Sequence, residues 1–213
     1  MDDPVDSIAE LEQNLRDIER ANRWFGGLDP VAREVARLRP ATILDVGCGF
    51  ADIPRALIRR ARRPLRIVCL DANEQILELA RRRSADEPRL SFMRADATAL
   101  PFGDGSFDVV TCSLSLHHFD PPRARTLLRE MRRVAKRSPV VCDLQRSRPA
   151  YVATWLYTRL CTRNRLTRHD GPLSVLRAYD PSEALELARE AGWRAPRVRD
   201  DRWFRMTVID GCE

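Results

Sequence analysis

The segment Thr42-Ile43-Leu44-Asp45-Val46-Gly47-Cys48-Gly49-Phe50-Ala51-Asp52 constrains this chain more than any other stretch. An apolar run broken by one acid ends in two glycines one residue apart, and helix-compatible sequence follows. That order places a tight turn at the carboxyl end of a parallel strand, where a ligand can approach the main chain closely. A dinucleotide fingerprint would need a third glycine at position 52, but Asp52 stands there and Ala51 precedes it. With that glycine missing and an acid two residues before Gly47, the pattern favours a nucleoside ligand without phosphates.

The pattern downstream repeats. Strands are expected at 42–46, 65–70, 90–93, 107–113 and 139–144, and the intervals between them contain helix-periodic segments near 52–63, 73–83 and 121–134. A run of β-then-α units argues for a parallel, doubly wound sheet covered on both faces. Ahead of it, Ile8, Leu11, Leu15 and Ile18 define an amphipathic helix that Gly26-Gly27 stops. Asp29-Pro30 reads as the N-cap and first position of a second helix, ending at Leu38. After strand 5 the character changes: an apolar, aromatic helix from Tyr151 to Cys161, then a polar loop to about 180. Asp180-Pro181-Ser182-Glu183 has capping-box spacing and starts a helix that Gly192 ends. Strands near 194–199 and 203–209 fit an edge hairpin. With no internal repeat or linker, residues 1–213 read as one domain, with 1–28 as a helical cap and 146–180 as a helical insertion on the substrate side.

The bulk properties narrow the class. A chain of 213 residues with 44% hydrophobic and 32% charged positions can bury a full core without staples. Its net charge of +6 permits an anionic partner without requiring one. Only Lys136 among the 37 basic residues is a lysine, a skew that fits a GC-rich genome better than a phosphate-binding surface. The six cysteines (48, 69, 112, 142, 161 and 212) form no C-x-x-C pair, and four of them lie in or beside expected strands. That is cysteine used as a small apolar residue in a reducing compartment, without a disulfide framework or a zinc site. Met1-Asp2-Asp3-Pro4 lacks the features of a signal peptide, and no apolar run is long enough to span a membrane. The expectation is a cytoplasmic protein.

Four stations in order make the chain resemble the class I S-adenosylmethionine-dependent methyltransferases, over roughly 30–145 and more weakly to the C-terminus. Among them it is most similar to the quinone-biosynthesis and related small-molecule enzymes. The resemblance implies a seven-stranded, mostly parallel Rossmann-like sheet of order 3-2-1-4-5-7-6 with an antiparallel C-terminal edge strand. Asp45, Gly47, Cys48 and Gly49 match the turn that supports the methionine part of the cofactor, with Ala51 at a place where the family often has a further glycine. A helix N-terminus following that turn favours a carboxylate. Asp71, with Ala72 after it, ends strand 2 where the family's acid accepts both ribose hydroxyls; the alternative role is N-cap of the next helix. Asp96-Ala97 matches the acid and backbone N–H that take the adenine edge; a plain turn is the alternative.

The fourth station runs from Phe107 through Ser113 to Leu116-His117-His118-Phe119. Residues just past a strand's carboxyl end line the ligand crevice of such sheets. His117 or His118 could there take a proton from a hydroxyl as the methyl group transfers; packing against the cofactor is the other reading. Ser113 joins the cofactor set by position. No metal is implied, since His, Asp and Glu show no ligand spacing.

Two motifs are decoys. Thr111-Cys112-Ser113 is similar to a nucleophilic-cysteine motif of RNA cytosine-5 methyltransferases, but Cys112 lies inside an apolar strand. Arg59–Arg63, Arg81–Arg83 and Arg129–Arg137 lie on or at the ends of helices and read as solvated faces. The acceptor is then expected to be a small aromatic, quinone-like or polyketide-like molecule methylated on oxygen or carbon, with no nucleic acid or membrane partner. Arg23, Trp24 and Phe25 and the aromatic helix with Tyr151, Trp155 and Tyr157 would hold it. Arg146, Arg148, His169 and Asp170 would supply polar contacts. Burial of those aromatics as core, or in a homodimer, is the alternative, and an RNA- or protein-modifying methyltransferase or a non-catalytic nucleotide-binding homologue are the competing functions.

Overall fold

A computed structural model describes residues 7–211, so the N-terminal tetrapeptide and Cys212 lie outside it. Seven strands form one sheet in the order β3-β2-β1-β4-β5-β7-β6. They are β1 (Thr42–Val46), β2 (Arg66–Asp71), β3 (Leu90–Arg94), β4 (Phe107–Ser113), β5 (Ala135–Leu144), β6 (Pro196–Asp201) and β7 (Arg205–Asp210). The first five run parallel, and β7 pairs antiparallel with both β5 and β6. The chain therefore reverses its strand order between β1 and β4, so a crevice opens beyond their carboxyl ends.

The pleat sorts successive side chains to opposite faces. Ile43, Ile67, Val109 and Val140 pack under α2 (Asp29–Leu38), α3 (Asp52–Arg60) and α4 (Glu74–Arg83), through Val31, Leu57 and Leu77. Leu44, Val110 and Val141 face α5 (Pro121–Val134) and α8 (Pro181–Glu190), where Leu127, Met131, Leu187 and Trp193 are buried. Above the crevice, α1 (Ile8–Trp24) lays Leu11 and Leu15 on Phe50, Ile76 and Leu79.

Local rules set several boundaries. Asp120 caps α5 by accepting the Arg123 N–H at 3.1 Å, and Asp180 and Glu183 form the expected capping box on α8. At α2, by contrast, Leu28 holds the N-cap position without a side-chain cap, and Asp29 already sits in the first turn. β5 begins at Ala135, earlier than its apolar run, because a register shift between Phe107 and Val109 lets the charged segment pair.

The polar loop expected after Cys161 is instead a helix. After α6 (Arg148–Cys161), Asn164 accepts the Thr167 N–H at 3.0 Å and starts α7 (Arg165–Arg177). Gly171, a breaker in the sequence, is there for contact: a Cβ on it would lie 2.8 Å from Thr158 Cγ2 of α6. Pro172 follows inside the same helix. α6 and α7 form a hairpin that lies against α1 through Asn14, Asp17 and Thr167.

Candidate functional site

The β1 turn is held by two close fits. Gly47 has φ +69°, and a Cβ there would stand 2.3 Å from Ser115 Oγ, which donates to the Gly47 carbonyl at 3.2 Å. Gly49 has φ +52° with open space where its Cβ would project. Ala51 continues the left-handed backbone at φ 54° and delivers the chain into α3. Left-handed geometry in a residue with a Cβ costs about 1–2 kcal/mol, which suits a turn shaped for a ligand better than one shaped for packing alone.

This turn floors a cavity of about 610 Å³ at the carboxyl ends of β1, β2 and β4. Asp45, Gly47, Cys48, Gly49, Asp71, Ala72, Asp96, Ala97 and Ser113 all border it. Asp71 closes β2 and accepts the Gly49 N–H at 3.1 Å and the Asn73 N–H at 3.0 Å, so it locks the turn to the second strand. The cap of α4 belongs to Asn73. Asp96 is held by the Thr98 N–H and hydroxyl, each at 2.8 Å, and these bonds keep its carboxyl below the usual range.

Two deeper acids give the cavity a cation-seeking end. Asp45 is buried and accepts the Thr111 hydroxyl at 2.6 Å. Burial raises its pKa to about 7, aided by the negative fields of Asp52 and Asp71 and opposed by the Thr111 bond. Asp52, at the start of α3, is also pushed up by burial while accepting from Asn22 Nδ2 at 3.1 Å. The Ser113 hydroxyl is buried without a hydrogen-bond partner among the described residues. Carboxyl groups, a hydroxyl in want of a partner and open glycine backbone suit the ammonium, ribose and adenine groups of S-adenosylmethionine.

A second cavity of about 270 Å³ adjoins the first across Ile18, Asn22, Leu114 and His118, which border both. Its walls come from α1, α6, α7 and the β6–β7 turn. Phe25 anchors the aromatic side, with ring centroids 5.1 Å from Tyr157 and 5.6 Å from Trp203. Trp203 and Phe204 form the turn at φ 61° and 57°.

His117 borders this second cavity. Its Nδ1 lies 2.7 Å from Asp143 Oδ1, and its backbone N–H donates to Asp143 Oδ2 at 3.1 Å. Burial alone would raise the Asp143 pKa, but the His117 charge and hydrogen bonds from His117 and Leu144 bring it below the ordinary value. An ionised carboxylate only accepts, so the Nδ1 of His117 donates in this bond. His118 packs its ring 4.4 Å from that of His117, centroid to centroid.

Of the expected acceptor contacts, Phe25, Tyr157 and Asp170 border the second cavity, whereas Arg23, Arg146, Arg148 and His169 border neither. Trp24, Tyr151 and Trp155 border neither, and Trp24 and Trp155 are exposed. On α6 the stripe facing inward is Ala150, Thr154, Tyr157 and Thr158, which turns Tyr151 and Trp155 to the other side. Arg146 bonds Glu183 at 2.5 Å, and His169 is exposed beside Asp170. Sequence reasoning missed Asn22, Asp143, Trp203, Phe204 and Arg205. Asp143 alone left a signal, as a lone acid in an apolar strand. Cys112 has no reactive setting, since burial drives its thiol well above the usual range.

Comparison with known proteins agrees with this geometry. Residues 43–138 match the family model described as a methyltransferase domain. The chain is 30% identical over 176 residues to a demethylmenaquinone methyltransferase of Thermotoga maritima, covering 76% of this chain and 74% of that one. A demethylmenaquinone methyltransferase of Clavibacter sepedonicus is 35% identical over 145 residues, 67% of this chain and 56% of that protein. The chain thus spans little more than half the length of the Clavibacter protein. The fold matches a SAM-dependent methyltransferase structure from Aquifex aeolicus with TM-score 0.68 at 18% identity, covering 92% of this chain and 96% of that one.

Proposed function

Because the chain belongs to the class I S-adenosylmethionine-dependent methyltransferases, we propose that it methylates an oxygen or carbon of a small, planar, quinone-like acceptor held in the second cavity. The observation behind this reading is the junction of the two cavities at Leu114 and His118, with the His117–Asp143 pair beside it. A volume of about 270 Å³ suits one or two fused rings, and its aromatic wall suits their faces. The names of the demethylmenaquinone methyltransferases that the chain resembles add the quinone class.

S-adenosylmethionine, when bound, supplies the activated methyl group, and its sulfur keeps the electron pair of the broken bond. The chain does the rest. Asp71 and Ser113 orient the nucleoside, Asp96 meets the adenine edge, and Asp45 with Asp52 answers the ammonium. His117 Nε2 takes the acceptor's hydroxyl proton as its oxygen, or the conjugated ring carbon, gains the methyl group. For carbon methylation, His117 returns that proton to the ring oxygen, and its Nε2 then accepts the ring C–H proton as aromaticity is restored. α1 lines both cavities through Ile18 and Asn22, and limiting water there strengthens each of these contacts.

The basic runs favour this reading over a nucleic-acid substrate. Arg81, Arg82 and Arg83 pair with Glu74, Glu78 and Glu19, and Arg132 and Arg133 pair with Asp210, Glu130 and Asp104. Among the described residues no helix is long and apolar enough to cross a membrane. A homodimer would form on the exposed face of α6, which carries Val152, Trp155, Leu156 and Leu160.

The test is S-adenosylhomocysteine release with reduced naphthoquinones, naphthols and structured RNA as acceptors. Turnover on the bicyclic phenols is expected. Turnover confined to RNA would overturn the assignment.

A further inference from the structure

Arg205 opens β7 at the edge of the second cavity, with only 7% of its surface exposed. Its Nη2 donates to Asn22 Oδ1 at 3.2 Å, and its Nε has no partner among the described residues. Asn22 is neutral, and in turn it bonds Asp52. The nearby Asp143 is committed to His117 and to the Leu144 N–H. Asp143 and Asp52 act on Arg205 only through their fields, and burial outweighs them, depressing the guanidinium pKa.

A buried cation without a contacting anion is costly unless a ligand supplies one. The other groups bordering this cavity are mostly apolar or uncharged, and its two further acids are engaged, Asp17 by Arg20 and Thr167 and Asp170 by His169. On the premise that the second cavity holds the acceptor, we propose that the acceptor carries a carboxylate and that Arg205 receives it. A carboxylate is ionised at neutral pH without assistance, unlike a phenol, so it meets a permanent guanidinium as a permanent partner. The planar fork of arginine also matches it. The acceptor class is then a hydroxylated aromatic acid, anchored at Arg205 and deprotonated at its hydroxyl by His117.

Binding of 1-hydroxy-2-naphthoate and of its uncharged amide, 1-hydroxy-2-naphthamide, to the S-adenosylhomocysteine-loaded protein tests this by calorimetry. The acid should bind at least about 30-fold more tightly, the scale of a buried charge pair. Arg205→Met, which keeps the aliphatic stem, should bring the acid down to the amide while leaving S-adenosylhomocysteine affinity intact. Equal binding of acid and amide by the unaltered protein would overturn the carboxylate, with no variant needed. A preference for the acid that survives in Arg205→Met would overturn the role of Arg205. So would loss of S-adenosylhomocysteine affinity alone, which would put the cofactor's carboxylate on Arg205. If S-adenosylhomocysteine binds but neither naphthalene does, the aromatic-acceptor reading itself fails and takes this one with it.

Discussion

His117 Nδ1 and Asp143 Oδ1 stand 2.7 Å apart, both side chains nearly sealed from solvent, at the wall of the smaller cavity. In the proposed mechanism the pair fixes one tautomer and leaves the other ring nitrogen to meet the acceptor. Asp143 reaches it from β5, whereas His117 sits in the short 3-10 turn Leu116–His118 after β4. Two neighbouring parallel strands thus deliver the halves of one device.

Replacing Asp143 by Asn removes the charge and frees the tautomer. Turnover should fall by roughly 10²–10⁴-fold, the usual worth of general-base catalysis. S-adenosylhomocysteine affinity should hold, because Asp143 does not border the larger cavity. Steady-state kinetics beside calorimetry reads both, and an unchanged kcat would make catalysis purely positional. His117→Ala should match the kcat loss.

Asp45 predicts a pH dependence. Its folded pKa of about 7 lies above the unfolded carboxyl value, so the folded state binds more protons between the two. Stability therefore falls as pH rises from about 4 to about 7 and levels off beyond. Chemical denaturation across that window should show the slope, and Asp45→Asn should lack it. A cationic cofactor reverses the preference, so affinity for S-adenosylmethionine should tighten by up to about tenfold between pH 6 and 8. A flat profile in the unaltered protein would remove Asp45 from the ammonium site.

Gly47→Ala meets two obstacles at once, the left-handed backbone at φ +69° and Ser115 Oγ at 2.3 Å from the new methyl group. A loss of about 2–4 kcal/mol in unfolding free energy is expected. Gly49→Ala, with no neighbour within 4 Å of its Cβ, pays only the backbone part, yet it should lose cofactor affinity because its methyl group occupies ligand space. Thermal melts with and without S-adenosylhomocysteine separate the two effects.

Asp71→Ala removes the acceptor for the Gly49 and Asn73 N–H groups as well as the proposed ribose contact. Cofactor affinity should drop by roughly 100-fold or more, the loss of charge-assisted hydrogen bonds worth about 1.5–3 kcal/mol each. Asp71→Asn should recover little of it, since an amide accepts through one oxygen only. Equilibrium dialysis with labelled cofactor distinguishes this from a small packing effect.

Much of the cofactor side could be read from the chain because it is local. Glycines and acids at strand ends sit within a few residues of the turns they shape, so Asp45, Gly47, Gly49, Asp71 and Asp96 all reach one cavity. The acceptor side is assembled from distant segments. Asn22 meets Arg205 across 183 positions, and Thr167 meets Asp17 across 150. Aromatic residues on α6 signal a cavity only once the face turned inward is known, and that face is set by α7, which Gly171 disguises as a loop. Arg205 looks like any strand-edge arginine until β7 inserts beside β5.

On the proposed function, one molecule of cofactor spans the larger cavity and presents its sulfur to the smaller one. A crystal structure with S-adenosylhomocysteine tests it most directly. The expected result is ribose hydroxyls on Asp71, the adenine amino group at Asp96, and the sulfur at the Leu114–His118 junction facing His117. A sulfur turned away from that junction, or adenosine bound elsewhere, would contradict it.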